Sequence, residues 1–326
     1  MAFLLLLDKE TFLAITSASA TRSLHGHFHI RTVCQGHYEY SHPPYKRSLD
    51  AARRSGEQRF IAQALRGLGA MSYMNRDMEK ARTIINEAIE ISRKVGDDFG
   101  LAAALSRLGD ISNVEGDRKT AIELTSEALA TFRGLGYMEG VSAKLYNLGS
   151  FLFLEGDFES ARRNFAEAYE TASALNEKIN TRLIFDGFAA LAAEDGNYTR
   201  AARLSGAAES FGATIGYFIE PGEMVFRSAY LGKLKSSMSE AEFDAEREAG
   251  KNLSTEMIRE LIRQQTKPSA GPSLPTGRDT GTLRGADTSP GESKATFSRP
   301  ALFVGLLILA LIVFGVAALW FLWPLS

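Results

Sequence analysis

Hydrophobic and small residues recur every forty positions through the middle of the chain. Four stretches align without gaps, and they begin at Leu65, Leu105, Leu145 and Phe185. Apolar or small residues at i, i+3 and i+7 within each stretch mark one face of an amphipathic helix. Small residues, turn residues and alanines also stay in register between the stretches. These columns are Gly69, Gly109, Gly149 and Ala189; Asp77, Asp117, Asp157 and Asn197; Ala81, Ala121, Ala161 and Ala201; and Ala88, Ala128, Ala168 and Ala208.

Each forty-residue unit is predicted to be a hairpin of two helices. Gly116-Asp117 and Gly156-Asp157 interrupt the pattern near the centre of their units, as Arg76-Asp77 does in the first unit. Gly takes the left-handed conformation that ends a helix, and Asp or Asn caps the next one. One hairpin cannot bury its apolar face alone, so neighbouring hairpins should stack into a solenoid.

This spacing resembles the tetratricopeptide repeat (TPR). In that family a Leu-Gly pair is followed twelve residues later by Ala and then, seven residues on, by a second Ala. Leu68-Gly69, Ala81 and Ala88 fit this pattern, and so do the corresponding residues of the next two units. The resemblance covers about residues 57–215 and implies an all-α, TPR-like solenoid whose first helices line a concave face. The period is longer than the usual thirty-four residues, so the helices or the turn between repeats must be longer.

Residues 1–56 are interpreted as a degenerate leader and a partial repeat that begins near residue 20. Pro43-Pro44 fits poorly inside its second helix. Cys34 and all five histidines lie close together in this segment: His25, His27, His29, His37 and His42. Imidazole and thiolate are zinc ligands, but no CxxC or HExxH spacing accompanies them. We therefore predict no metal site, and we interpret the segment as a leader outside the repeat family or as the product of a misassigned start codon.

Residues 216–263 are predicted to be capping helices. Together with the preceding run AARLSGAAESFGATIG, this region resembles the C-terminal end of bacterial signal-transduction ATPases, including LuxR-type regulators. The matching positions are Phe243, Glu246 and Gly250, followed by the run LSTEMI from Leu253. The chain has no G-x-x-x-x-G-K-[ST] loop and no C-terminal helix-turn-helix. Neither ATPase activity nor DNA binding can therefore be carried over from that family.

The C-terminal part of the chain is predicted to be a tethered membrane anchor. Residues 264–300 are rich in Pro, Gly, Ser and Thr, a composition that predicts a disordered linker. Residues 301–323 are apolar and long enough to cross a bilayer as one transmembrane helix. Lys and Arg lie on the N-terminal side of this segment only, so the positive-inside rule predicts a single-pass, tail-anchored protein with a cytoplasmic repeat domain.

Composition argues against several other classes of protein. The formal net charge is −2, which does not favour a nucleic-acid-binding surface. The single cysteine excludes a disulfide-stapled scaffold. No nucleophile elbow or phosphate-binding loop is found, so we predict no enzymatic activity, no catalytic residues and no cofactor.

The predicted function is that of a membrane-anchored adaptor that binds a protein or peptide partner on the concave face. By the pattern of the TPR family that the chain resembles, the candidate binding residues on this face are Tyr73, Tyr146, Phe153, Arg66 and Asn113. Aromatic residues are emphasised because they are enriched in binding hot spots. Two alternatives stay open: a regulatory sensor module derived from a signal-transduction ATPase, which binds an effector or a separate catalytic subunit, and a remnant of such a gene.

Overall fold

The computed structural model describes residues 38–266, all of which fall within one compact unit. Across this range the backbone forms α-helices joined by short turns. In chain order they are α1 Tyr38–Ser55, α2 Gln58–Met74, α3 Met78–Val95, α4 Asp98–Val114, α5 Arg118–Gly134, α6 Met138–Leu154, α7 Phe158–Leu175, α8 Lys178–Glu194, α9 Tyr198–Ile215, α10 Pro221–Ser237, α11 Glu240–Lys251 and α12 Thr255–Thr266. The predicted all-α repeat fold is confirmed for this part of the chain.

A twenty-residue register explains where the helices begin and end. Helices α1 to α9 start every twenty residues, from position 38 to position 198. A left-handed residue occupies the same place in every turn between them; it is glycine except at Arg76 and Asn176, where φ is 62° and 52°. The following residue is the N-cap of the next helix, and except at Glu57 and Tyr137 its side chain accepts a backbone hydrogen bond, as the carboxylate of Asp117 does from the amide of Thr120. The predicted hairpin turns are therefore confirmed, and the forty-residue repeat consists of two twenty-residue halves.

Longer helices account for the extra residues in each repeat. The hairpin helices have 17 or 18 residues, and the turns between them are short. Within a hairpin the two helices touch where the sequence provides small residues. A Cβ at Gly149 would overlap the ring of Phe165, and Ala161 and Ala168 are fully buried on the facing helix. The predicted role of these small residues in close helix packing is confirmed.

The first helices of the hairpins form one continuous surface. We call α2, α4, α6 and α8 the A helices and α3, α5, α7 and α9 the B helices. Each A helix contacts the A helix of the next hairpin. We call the surface that the A helices share the inner face. Helix α1 precedes the first hairpin in the same register and packs on α2, with Leu49 buried and Tyr45 against Gly67.

The register ends after α9, and the last three helices follow a different path. Helix α11, rather than α10, packs closely on α9: a Cβ at Gly206 would overlap the backbone carbonyl of Arg247, and one at Gly250 would overlap that of Arg203. Helix α12 contacts α9 and α8. Helix α10 contacts α8, α6 and α4 instead. Two of the three helices after α9 therefore cover the end of the solenoid, and α10 lies across its inner face.

The predicted segments at both ends of the chain fall largely outside the described residues. These are the leader before residue 38, the linker after residue 266 and the apolar segment 301–323. Helix α12 extends to Thr266, slightly beyond the predicted start of the linker at 264, because Ile258, Ile262 and Gln265 are buried on one face of that helix. Between residues 38 and 266, no helix is both long and apolar enough to cross a membrane.

Candidate functional site

Helix α10 carries a regular pattern on the side that meets the inner face. Its buried residues include Glu223, Phe226, Arg227 and Tyr230, at positions i, i+3, i+4 and i+7, and Leu234 continues the same stripe. This spacing places all of them on one side of a helix. The helix starts with Pro221 in its first turn, a position that suits the fixed φ of proline. Helix α10 therefore presents to the A helices a face that mixes aromatic and charged side chains.

A buried network of charges centred on Asp186 of α8 holds the middle of α10. The Asp186 carboxylate is fully buried and accepts hydrogen bonds from the Arg227 guanidinium and from the Tyr230 hydroxyl. Nη2 of Arg182 lies 3.2 Å from Oδ2 of the same carboxylate, and Arg182 also pairs with Glu223. Two cations and two anions balance in this network. Because removal of one member would leave an uncompensated buried charge, the network fixes the register of α10 on α8.

Aromatic rings fill the space beside this network. The ring of Phe226 lies 5.4 Å from that of Phe153 and 6.2 Å from that of Tyr146, both in edge-on orientation, with distances measured between centroids. The rings of Phe165 and Tyr230 complete the cluster. Such edge-to-face pairs add about 0.5–1.5 kcal/mol each beyond area burial. The A and B helices of the third hairpin thus join α10 in one aromatic core.

The N-terminal end of α10 reaches the first two A helices. The backbone amide of Gly222 donates a 2.8 Å hydrogen bond to the hydroxyl of Tyr73 on α2. On α4, Arg107 forms a 2.8 Å salt bridge with Glu220 and stacks over the Tyr73 ring at 4.7 Å from its centroid. The carboxylate of Asp110 lies 3.3 Å from Arg107. Segments far apart in sequence therefore meet at the start of α10.

A cavity of about 230 Å³ remains on the inner face between these contacts. Its walls come from α2, α4, α6 and α8, from the segment between α9 and α10, and from α10 itself through Gly222, Glu223 and Phe226. Its apolar lining includes Met71, Phe151 and Leu183, and its polar lining includes Lys144 and Asn147. This volume is below the usual 300–1,000 Å³ of drug-sized ligand pockets. It suits one side chain of a partner or a small effector.

Burial shifts the ionisation of the groups around the cavity. Burial lowers the pKa of Lys144 below the ordinary lysine value, with Asp110 acting in the opposite direction. Burial also raises the pKa of Asp110, against the opposing effects of Lys144 and Arg107. The phenol of Tyr73 has a pKa well above its usual value, mainly because it is buried, so it stays neutral. Lys144 donates a hydrogen bond to the hydroxyl of Ser106.

An unsatisfied amide lies next to the cavity. Both polar atoms of the Asn113 side chain are buried without a hydrogen-bond partner. Nδ2 of Asn113 lies beside Gly222, at 3.5 Å from the position that a Cβ would take there, and Gly222 lines the cavity. Buried polar groups without a hydrogen-bond partner are uncommon in proteins, and a bound water or ion is one explanation for them.

The structure places the five predicted binding residues in four different settings. Tyr73 and Tyr146 both line the cavity, although their exposed fractions are only 1% and 4%. Phe153, at 5% exposed, contacts Phe226 instead of an open groove. Asn113 is buried beside Gly222, and Arg66 lies 3.6 Å from Asp97, the capping residue of α4. The expectation of an open concave face is therefore corrected, because α10 covers much of it; the binding role of the five residues stays a prediction.

Sequence patterns do not single out Lys144 or Arg107, which also line the cavity. They predict α10 only as one of the capping helices. The sequence does contain a feature that indicates the position of α10. Its stripe of Glu223, Phe226, Arg227 and Tyr230 mixes charged and aromatic residues, whereas a helix that packs on a purely apolar surface needs no charged residues on its buried side. Charged residues in α8 at Arg182 and Asp186 supply the complement.

The fold and site define a TPR-like protein, built from helical hairpins whose inner face is partly occupied by a later helix. No protein-family model matches the sequence, and no curated protein matches it either. Among solved structures, BtubC (BKLC) from P. vanneervenii is similar with 19% identity and a TM-score of 0.48, covering 77% of this chain and 99% of that one.

Two further solved structures are similar at lower scores. A Rap protein complexed with Competence and Sporulation Factor has 16% identity and a TM-score of 0.46, with 71% of this chain and 66% of that chain covered. A Podosopora anserina putative kinesin light chain with nearly identical TPR-like repeats has 14% identity and a TM-score of 0.40, with 62% and 93% covered. All three TM-scores are below 0.5, so the fold assignment rests on the hairpins themselves. The resemblance to signal-transduction ATPases stays a prediction.

Proposed function

We propose that the chain is a non-enzymatic scaffold that binds a segment of a protein partner at the cavity on its inner face. The observation that carries this proposal is the cavity itself, which Tyr73 and Tyr146 line and beside which Asn113 has unused hydrogen-bonding capacity. Burial of one apolar side chain there would contribute about 1.5–3 kcal/mol. Asn113 and Lys144 would supply hydrogen bonds to the backbone of the bound segment.

An exposed apolar rim supports the same site. Phe218 lines the cavity and is 41% exposed. Met224, in the first turn of α10, is similarly exposed and contacts Arg76 through its sulfur. Large apolar side chains that remain in water beside a concave site are common where a partner binds. The bound segment would therefore extend from the cavity over Phe218.

Filling the cavity tests this proposal. Ala143 lines the cavity and is partly exposed, so Ala143→Trp would occupy the space without opening the core. Ser126→Trp, on the exposed side of the B helix α5, is the matched control. A photo-crosslinking amino acid at Phe218 should capture one partner in the wild-type background and in Ser126→Trp, but not in Ala143→Trp. Equal capture in all three backgrounds would contradict the proposal.

A small effector is the second candidate occupant, because the cavity is smaller than most ligand pockets. Under this sensor hypothesis the cavity binds a metabolite, and binding changes the arrangement of the surrounding helices. Native mass spectrometry of the chain purified from its host distinguishes the sensor hypothesis from the protein-binding hypothesis. A bound small molecule that is lost in Ala143→Trp and retained in Ser126→Trp would favour the sensor over the protein-binding scaffold.

We also propose that residues 301–323 anchor the chain in the bacterial inner membrane with the repeats on the cytoplasmic side. The support is the length and apolar character of this segment and the placement of Lys and Arg on one side of it. The full chain should resist alkaline carbonate extraction, and a variant that lacks 301–323 should not. Cys34, the single cysteine, should react with an impermeant maleimide only after the cells are lysed. Labelling in intact spheroplasts would contradict the orientation.

A further inference from the structure

Helix α10 occupies the inner face as a separate helix would. Its contact with α9 is slight, although each earlier A helix packs extensively on the B helix before it. Helix α11 takes the place on α9 that the next A helix would have, through the close approaches at Gly206 and Gly250. The solenoid is therefore continued by α11 and α12, and α10 is an inserted helix laid across α4, α6 and α8.

The surface beneath α10 carries charged side chains that water could solvate if α10 moved away. Arg182 and Asp186 lie at its centre, and Glu194 pairs with Lys233 at 2.6 Å near the C-terminal end of α10. Charged side chains lose their hydration when they are buried, so such pairs contribute little net stability while they specify register. If α10 left, these charges would regain water, which offsets part of the cost of exposing Tyr146 and Phe153.

We propose that the inner face of α4, α6 and α8 is a helix-binding groove that α10 occupies in this chain, and that its external partner is a helix with the pattern of α10. That pattern is a carboxylate, an aromatic residue, a guanidinium and a second aromatic residue at i, i+3, i+4 and i+7, as in Glu223, Phe226, Arg227 and Tyr230. The partner helix displaces α10 and makes the same contacts with Arg182 and Asp186. This inference goes beyond the cavity of the proposed function, because it concerns the surface that α10 covers; displacement of α10 would remove Gly222, Glu223 and Phe226 from the cavity wall.

The test adds a fluorescein-labelled peptide of residues 216–237 to the full-length chain. In the wild type, the covalently attached α10 competes with the peptide. Phe226→Ala removes the ring at the centre of the aromatic cluster and weakens that competitor, whereas Lys235→Ala changes an exposed residue of the same helix. We expect the peptide to bind Phe226→Ala at least tenfold more tightly than the wild type or Lys235→Ala. A peptide that itself carries Phe226→Ala should bind at least tenfold more weakly than the unmodified peptide.

Hydrogen exchange measured by mass spectrometry reports whether α10 is displaced. When the peptide binds, amides of 221–237 in the chain should exchange faster, while those of α6 stay protected. Should Phe226→Ala impair folding, Lys233→Ala provides the same test with the aromatic core intact, because it removes only the salt bridge to Glu194.

Three outcomes would overturn the proposal. The first is that the peptide does not bind Phe226→Ala although the amides of 221–237 exchange faster in that variant than in the wild type. The second is exchange of 221–237 that stays as slow as that of α6 in every variant, since α10 would then be a fixed part of the core. The third is a concentration-dependent dimer in size-exclusion chromatography, which would make a second copy of the chain the occupant. None of these outcomes affects capture at Phe218, so the proposed cavity function fails or survives separately.

Discussion

The close contact between α9 and α11 predicts that a glycine-to-alanine substitution inside α9 destabilises the protein. Replacing a glycine inside a helix by alanine normally stabilises the helix by about 1 kcal/mol. Gly206 lies in the middle of α9, but a Cβ there would overlap the backbone carbonyl of Arg247 on α11. A backbone atom cannot rotate away as a side chain can, so α11 would have to shift as a whole. Overpacking of this kind costs about 1–3 kcal/mol, and we expect the upper end of that range.

The two effects combine to a net loss of about 2 kcal/mol for Gly206→Ala. Gly232→Ala is the matched control, because Gly232 is an exposed residue inside α10 and no atom lies within 4 Å of its added methyl group. This control should gain about 0.5–1 kcal/mol from helix propensity alone. The two substitutions are chemically identical, so their opposite signs depend only on the packing of α11 against α9.

Local hydrogen exchange is the appropriate assay, because solenoids often unfold in parts and a single global transition is not assured. Amides of 240–251 should lose protection in Gly206→Ala, while those of α3 stay unchanged. Protection in the control should be equal to or higher than that of the wild type. If Gly206→Ala stabilised the chain as Gly232→Ala does, the close packing of α9 and α11 would be refuted.

Three further predictions concern the core, a cap and the cavity. Phe165→Ala should cost about 3–5 kcal/mol in urea denaturation because the ring is fully buried, and Phe165→Leu about 1.5 kcal/mol at most; equal losses would contradict the packing. The pKa of Asp117 is lowered by its hydrogen bonds to Thr120, so this cap stabilises the fold above pH 3.8 and the contribution is lost as the pH falls further. Asp117→Asn should therefore lose less stability than the wild type between about pH 4 and pH 2, and parallel acid-denaturation curves would count against the cap. Acetylation of Lys144 by acetic anhydride should be half-maximal below the ordinary lysine pKa of 10.5, because burial disfavours the charged amine, whereas a midpoint at or above that value would argue against its burial.

The hairpins were predictable because their determinants are local in sequence. A left-handed residue followed by a capping Asp or Asn, as at Gly116-Asp117, decides where one helix ends and the next begins. The small residue at Gly149 and the alanines at 161 and 168 decide how the two helices meet. These signals recur at a fixed spacing, so a single sequence was enough to assign the repeat and the sides of its helices.

The candidate site could be predicted only in part, because it depends on contacts over long sequence separations. Tyr73 and Tyr146 follow from the TPR pattern that the chain resembles, and both line the cavity. The hydrogen bond between Tyr73 and Gly222 does not, since it joins residues 149 positions apart. The residues after α9 form helices whether they stack on the solenoid or cross its inner face. Only the fit of Arg227 to Asp186, and of α11 to α9, decides between these paths.

The path of α10 across the inner face is the central claim, and one distance tests it most directly. Spin labels at Arg76→Cys and Met224→Cys, with Cys34 replaced by Ser, can be measured by double electron–electron resonance in the full-length chain. The structure predicts a short distance, because Nη2 of Arg76 lies 3.0 Å from Sδ of Met224. A solenoid that simply continued through α10 would separate these positions by four helix-packing steps of about 8–10 Å, or about 30 Å or more. A single population at that longer distance would contradict the account.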